Sequence, residues 1–147
     1  MDNSKQVVVF RIGDVQYGFP IEQVNEIIKY MAPNKIPNAP DFFEGVISLR
    51  GKVHAIINLY NLLDIPRKEA DGNTRIIVAN GTNAGFIVDE VNRIVTPQAE
   101  EVDTASNLPG YIEKNFVRYI LKIDGDIIVV LNMASILDSS KKAGMTA

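Results

Sequence analysis

Residues 18–28 read GFPIEQVNEII, and residues 85–95 read GFIVDEVNRIV. At this offset of 67 residues, five positions are identical and most of the others keep their chemical character. Residues 51–64 match residues 125–138 in the same way at an offset of 74 residues. Two matches in the same order indicate two copies of one structural unit, with chance similarity among Ile- and Val-rich strands as the alternative. The offset grows by seven residues, and the segment 96–115 can hold the longer connection in the second copy.

The composition is that of a globular protein rich in β-structure. The chain has 147 residues and a formal net charge of −3, and apolar residues make up 46%. This balance predicts a single domain, residues 1–147. There are 19 Ile and 15 Val against only 8 Leu, which favours strands because β-branched side chains pack well on a pleated surface.

Several classes of protein are excluded by what the sequence does not contain. Without Cys there is no disulfide framework and no zinc–thiolate site. No apolar stretch has the length of a membrane span, and the N-terminus lacks the apolar run of a secretion signal, so we expect a cytoplasmic protein with no membrane insertion. The absence of a basic run argues against nucleic-acid binding.

Turn residues divide the apolar runs into four predicted β-hairpins, each with Gly in its turn. These hairpins cover residues 6–19, 45–59, 75–88 and 117–132. Helical spacing is limited to short apolar stripes near residues 21–28, 59–63 and 133–137. The pattern therefore predicts an all-β fold with short helices, arranged as barrels or as a sandwich.

The residues offer little catalytic chemistry. The only histidine, His54, lies in an apolar strand without a nucleophile signature beside it, so a strand residue is the favoured interpretation. We expect no catalytic residue, no metal site and no cofactor, which favours a binding module over an enzyme. The carboxylates that could suggest acid–base pairs are all expected at solvated turns: Asp14, Glu22, Glu26, Asp89 and Glu90.

Three blocks of the sequence resemble the CheW family of bacterial chemotaxis coupling proteins. Residues 8–27 resemble the opening of that family, residues 43–51, FEGVISLRG, its most characteristic motif, and residues 85–91 its second-barrel signature. The resemblance covers about residues 6–138. The sequence departs from the family pattern at three positions, where the family usually has Asn, Pro and Asp: Ser48, Ala55 and Asn58.

This resemblance implies two SH3-like, five-stranded β-barrels that pack on a shared apolar seam. We expect the first barrel to cover roughly residues 14–70 and the second roughly residues 73–138. The N-terminal strand, residues 6–12, is expected to pair with the second barrel. The two barrels agree with the duplication, which was inferred from the repeats alone.

The resemblance also implies a non-enzymatic adaptor that couples the cytoplasmic tips of chemoreceptors to the histidine kinase CheA. Such an adaptor works in the cytoplasm, at membrane-associated receptor arrays. The alternative is an SH3-like peptide-binding module with a different partner.

Seven residues are expected to carry this function. The resemblance implies that three of them bind the regulatory domain of the kinase: Ile21, Val24 and Glu26. Four are expected to bind the receptor tip: Val46, Arg50, Val88 and Val91. For Ile21, Val88 and Val91 a buried, structural role is the alternative. For Arg50 the alternatives are a solvated turn residue and a tie between the barrels.

Overall fold

The structure is a computed structural model that describes residues 6–104 and 114–142. The described residues form strands over more than half of their length and include one α-helix, α1 (Met133–Lys142). The strands are β1 (Val7–Ile12), β2 (Val15–Pro20), β3 (Val24–Lys29), β4 (Phe43–Leu49), β5 (Lys52–Asn58), β6 (Arg75–Ala79), β7 (Ala84–Val88), β8 (Glu90–Val95), β9 (Val102–Thr104), β10 (Val117–Ile123) and β11 (Asp126–Leu131).

The four predicted hairpins are confirmed as the antiparallel pairs β1–β2, β4–β5, β6–β7 and β10–β11. The helical stripe near residues 21–28 is only a single 3-10 turn, Ile21–Gln23, before β3 begins. The helix near the C-terminus is present as α1. Asn58 is the last residue of β5 and Asn132 is the residue after β11. These two residues match in the repeat, and the side chain of each accepts a hydrogen bond from the backbone N–H three residues later.

The strands form two sheets that exchange hairpins. One sheet has six strands in the order β8-β1-β2-β11-β10-β9, and the other has five in the order β3-β6-β7-β5-β4. The hairpin β1–β2 therefore lies in the sheet of the second copy, and the hairpin β6–β7 lies in the sheet of the first copy. Strands β6 and β7 lie between β3 and β5, so without them β3 would not be connected to the rest of its sheet. This corrects the barrel boundaries expected near residues 70–73, and it places the N-terminal strand beside β8.

The register of the sheets repeats as the sequence does. In the parallel pairing of β2 with β11, Gly18 lies opposite Val130, and in that of β7 with β5, Gly85 lies opposite Ile56. A Cβ atom on Gly18 would lie 2.5 Å from a Val7 methyl group, and one on Gly85 would lie 2.9 Å from an Ile76 methyl group. Both glycines are thus required by the same close approach, and the duplication is a structural fact.

In each sheet, the chain that leaves one edge strand returns to pair at the opposite edge. The chain that leaves β8 returns as β9 and pairs with β10 at the opposite edge. In the first copy, Asn34 follows β3 and pairs with Val46 of β4 through two backbone hydrogen bonds of 2.8 and 2.9 Å. The fold class is confirmed as two SH3-like barrels, with a sixth strand in one sheet because β9 is longer than its single-residue counterpart.

The apolar core has three parts. Each sheet encloses a small cluster of Val, Ile and Leu side chains. A larger cluster lies between the two sheets and draws on both of them, which confirms the shared apolar seam. At its centre Phe19 packs against Phe86, with ring centroids 5.2 Å apart, and Phe10 packs on the other side of Phe19 at 5.1 Å.

A buried carboxylate joins the sheets where the chain crosses between them. Asp89 lies between β7 and β8 and is only 2% exposed, so the expectation that it is solvated is wrong. Its carboxylate accepts hydrogen bonds from the Tyr60 hydroxyl and from the Gly13 N–H, the latter at 2.8 Å. Burial, and then the Asp89 carboxylate, raise the pKa of Tyr60, which keeps the hydroxyl protonated as a donor.

The exchange of hairpins predicts that the two copies cannot fold apart. Cutting the chain at Gly72, in the exposed segment 66–73 between β5 and β6, should give two fragments that are each largely unfolded, because each lacks the central strands of its sheet. Mixing the fragments should restore the native circular dichroism spectrum and cooperative unfolding in urea. A first fragment that folds cooperatively alone would contradict the exchanged arrangement.

The Asp89 site predicts a second effect on stability. Asp89→Asn replaces one acceptor oxygen by an NH₂ donor facing Tyr60 or Gly13, so it should lower the free energy of unfolding by about 1–3 kcal/mol. Asp14→Asn, at an exposed position in the β1–β2 turn, is the matched control and should change it little. Equal urea midpoints for the two variants would show that the buried carboxylate does not hold the sheets together.

Candidate functional site

A concavity of about 680 Å³ opens at one end of the first barrel. It is lined by β3, by the β4–β5 turn and by the β6–β7 turn, and its charged or titratable side chains are Glu26, Arg50, Lys52 and His54. We call this concavity the mouth. Because the β6–β7 hairpin comes from the second copy, the mouth combines residues from both halves of the chain.

An ion pair crosses the mouth. The Arg50 guanidinium contacts Glu26 through both of its terminal nitrogens, with Nη2 2.9 Å from Oε1 and Nη1 bonded to Oε2. The hydrogen bond from Arg50 lowers the pKa of Glu26. The pair therefore stabilises the fold at neutral pH and loses that contribution as the pH falls through the lowered pKa. The Arg50 side chain remains 71% exposed, so the guanidinium is accessible from solvent.

The backbone of Arg50 has an unusual conformation for its residue type. Arg50 and Gly51 form the two-residue turn between β4 and β5, with φ of 50° and 78°. The other non-glycine residues with positive φ in the described part of the chain are Asn or Asp, namely Asn38, Asp64 and Asp124. Those residue types tolerate the left-handed region, whereas Arg does so at a conformational cost. A strained residue kept at an exposed turn points to a role of its side chain.

The second copy has an ion pair of reversed polarity at the corresponding place. Arg93 matches Glu26 in the repeat, and Asp126 matches Lys52. Arg93 Nη2 lies 3.4 Å from Asp126 Oδ2. The residue that matches Arg50 is Asp124, which adopts the same backbone conformation with φ of 51°. The two ends of the molecule are therefore similar in backbone and opposite in charge at these positions.

The structure brings together only some of the residues expected to bind partners. Glu26, expected at the kinase surface, and Arg50, expected at the receptor surface, contact each other across the mouth. Ile21 is half-buried in the 3-10 turn that precedes β3. Val46 is half-buried beside Asn34.

The remaining apolar residues belong largely to the seam. Val24 and Val91, which match in the repeat, are half-buried and both pack against the seam cluster. Val88 is completely buried in that cluster. Because side chains alternate along β7, Val88 points into the seam with Phe86, which corrects the expectation that it contacts a receptor.

Sequence reasoning missed the contribution of the β6–β7 turn, residues 80–83, to the mouth. Its residues Asn80 and Asn83 line the concavity, and the Asn80 side chain donates a hydrogen bond to the Glu22 carbonyl oxygen. No local signal could have shown this, because the turn belongs to the second copy by sequence and joins the first copy only through the exchange of hairpins.

Residues 6–104 and 114–142 contain neither a candidate metal-binding cluster nor a candidate membrane-spanning helix. No group of three or more His, Asp or Glu side chains there could hold a metal ion. No helix in that part of the chain is long and apolar enough to cross a membrane.

Comparison with known proteins identifies the family. The family model of the CheW-like domain matches residues 6–141. The chemotaxis protein CheW of Bacillus subtilis is 29% identical over 140 residues, covering 92% of this chain and 88% of that protein. The probable chemotaxis protein CheW of Rhizobium etli is 32% identical over 142 residues, covering 94% and 90%.

A solved structure agrees with these relatives. The scaffolding protein TtCheW from Thermoanaerobacter tengcongensis superposes with a TM-score of 0.81 at 32% identity, covering 88% of this chain and 90% of that protein. Since the family model spans nearly all of the described fold, the chain belongs to the CheW-like domain family.

Proposed function

We propose that this protein is the coupling scaffold of a chemotaxis signalling array, joining the cytoplasmic tips of chemoreceptors to the histidine kinase CheA. The observation that carries the proposal is the match of the CheW-like family model to residues 6–141. Relatives of similar length are chemotaxis proteins, and the superposed structure is that of a scaffolding protein. Members of this family are non-enzymatic scaffolds, and the proposed place of action is the cytoplasmic side of a receptor array.

The proposed kinase-binding surface is the segment that leads into and begins β3. It contains Ile21, Val24 and Glu26, all half-buried, with the exposed Glu22 between the two apolar residues. Partly exposed apolar side chains with a charged rim are typical of protein interfaces. Each of these residues is close enough to the surface to lose further exposed area against a partner.

The proposed receptor-binding surface is the β4–β5 hairpin with Val46 and Arg50, together with Val91 at the start of β8. Val53, three residues after Arg50, supports an interface here because its side chain is 62% exposed. A large exposed apolar side chain beside an arginine supplies both apolar area and a planar hydrogen-bonding group. Val88 is not part of this surface.

The proposal is tested by mixing the purified chain with the regulatory domain of CheA and with a soluble fragment of a receptor tip. We expect a ternary complex by size-exclusion chromatography and an increase in kinase autophosphorylation. Binding to neither fragment would contradict the proposal and leave an SH3-like module with a different partner.

The strained turn predicts that stability and assembly can be separated at Arg50. Arg50→Asn relieves the left-handed strain but removes the guanidinium. The thermal midpoint should therefore stay within about 2 °C of the parent or rise, while ternary assembly should weaken by about tenfold or more. Differential scanning calorimetry and the assembly assay give the two measurements.

Asp124→Asn, at the matching turn of the second copy, is the control for this substitution. It changes one residue that tolerates positive φ into another, so both stability and assembly should resemble those of the parent. A midpoint for Arg50→Asn that is lower by several degrees, with assembly intact, would instead identify Arg50 as a tie within the barrel.

A further inference from the structure

We infer that the mouth is a binding site for a carboxylate side chain on an acidic segment of a partner protein, and that Glu26 occupies this site in the free chain. The inference deepens the proposed function by naming the chemistry that the mouth recognises. It rests on the proposed function only for the identity of the protein that supplies the acidic segment.

The charges of the mouth favour an anionic ligand. Arg50 and Lys52 are cationic, His54 lies beside them, and Glu26 is the one carboxylate among the lining residues. The chain as a whole has a formal net charge of −3, whereas the lining of the mouth has more cationic than anionic side chains. A carboxylate is attracted to this local excess of positive charge, so it is the complementary group.

The Arg50–Glu26 contact displays the geometry that an incoming carboxylate would adopt. A planar guanidinium presents two parallel N–H donors to the two oxygens of a carboxylate, which is the arrangement found with Glu26. Arg50 is 71% exposed and Glu26 only 22%, so an entering group can reach the guanidinium from solvent. Asn25, Asn80 and Asn83 line the same concavity, so its uncharged polar residues are amides.

Comparison with the second copy argues against a purely structural role for the placement of Arg50 at the hairpin turn and Glu26 on the edge strand β3. The corresponding ion pair there, Arg93 with Asp126, has the cation on the edge strand and the carboxylate at the hairpin. A tie across a barrel needs two opposite charges in either order. The placement of a cation at the hairpin tip of the first copy, in a backbone conformation unfavourable to Arg, therefore indicates recognition of something outside the barrel.

Glu26 should act as a tethered competitor. Because it is held beside Arg50 by the fold, its effective concentration is high, and an external carboxylate must displace it. Removing the charge of Glu26 leaves the guanidinium without its charged, two-oxygen internal partner and makes the mouth more positive. Acidic ligands should then bind more tightly, whereas a direct contact between Glu26 and a basic group of the partner predicts weaker binding.

The test is an NMR titration of the full chain with a tetraglutamate peptide, and tetralysine as the charge control. For the parent we expect weak binding that falls with added NaCl, with chemical-shift changes at residues 25–26, 50–54 and 80–83. Glu26→Gln should bind tetraglutamate about five- to tenfold more tightly, and Arg50→Asn should lose the binding. Arg93→Gln, which breaks the ion pair of the second copy, should bind like the parent.

Two results would overturn the inference. One is a Glu26→Gln variant, folded by its NMR spectrum, that binds tetraglutamate no more tightly than the parent. The other is a set of shift changes for tetraglutamate that lies away from the mouth, or that tetralysine reproduces. The peptide titration contains no kinase or receptor. A failure to form the ternary complex therefore does not change its result, and failure of the proposed function can be distinguished from failure of this inference.

Discussion

The contact between Phe19 and Phe86 is the constraint on which the rest of the structure depends. These residues match in the repeat, and they pack against each other at the centre of the seam. A contact between equivalent residues, together with the reciprocal exchange of hairpins between the sheets, is the arrangement of two copies related by an approximate two-fold axis. Each phenylalanine sits on a strand that has crossed into the sheet of the other copy, so neither sheet is complete without the shared core.

The same exchange builds the candidate site. The β4–β5 hairpin brings Arg50, and β3 brings Glu26, but the opposite wall is the turn at residues 80–83, which arrives with the exchanged hairpin. The geometry of the mouth therefore depends on the seam and on the Asp89 carboxylate that fixes the crossing between sheets. A change in packing between the barrels would also alter the distance between the walls of the mouth.

The sequence predicts local structure well, but it predicts poorly which strands and side chains that are distant in sequence contact each other. Gly and the β-branched runs identified the four hairpins, and the repeat identified the duplication, because both are recorded in local patterns. The sheet that each hairpin joins is not recorded, since β1–β2 and β6–β7 are both short hairpins of mostly apolar, buried residues. Asp89 follows a strand and resembles a solvated turn residue; its burial depends on Tyr60 and Gly13, which are distant in sequence. The Arg50–Glu26 pair likewise exists only because the barrel closes.

The reversed ion pairs make the two ends of a nearly symmetric molecule different in charge. A half-turn about the approximate two-fold axis superposes one barrel on the other, yet it exchanges Glu26 for Arg93 and Arg50 for Asp124. A binding surface complementary in charge to one end would then meet like charges at the other, and electrostatic repulsion would reject it. The duplication thus gives two hairpin turns with the same backbone conformation, and a few charge substitutions make the two ends distinguishable.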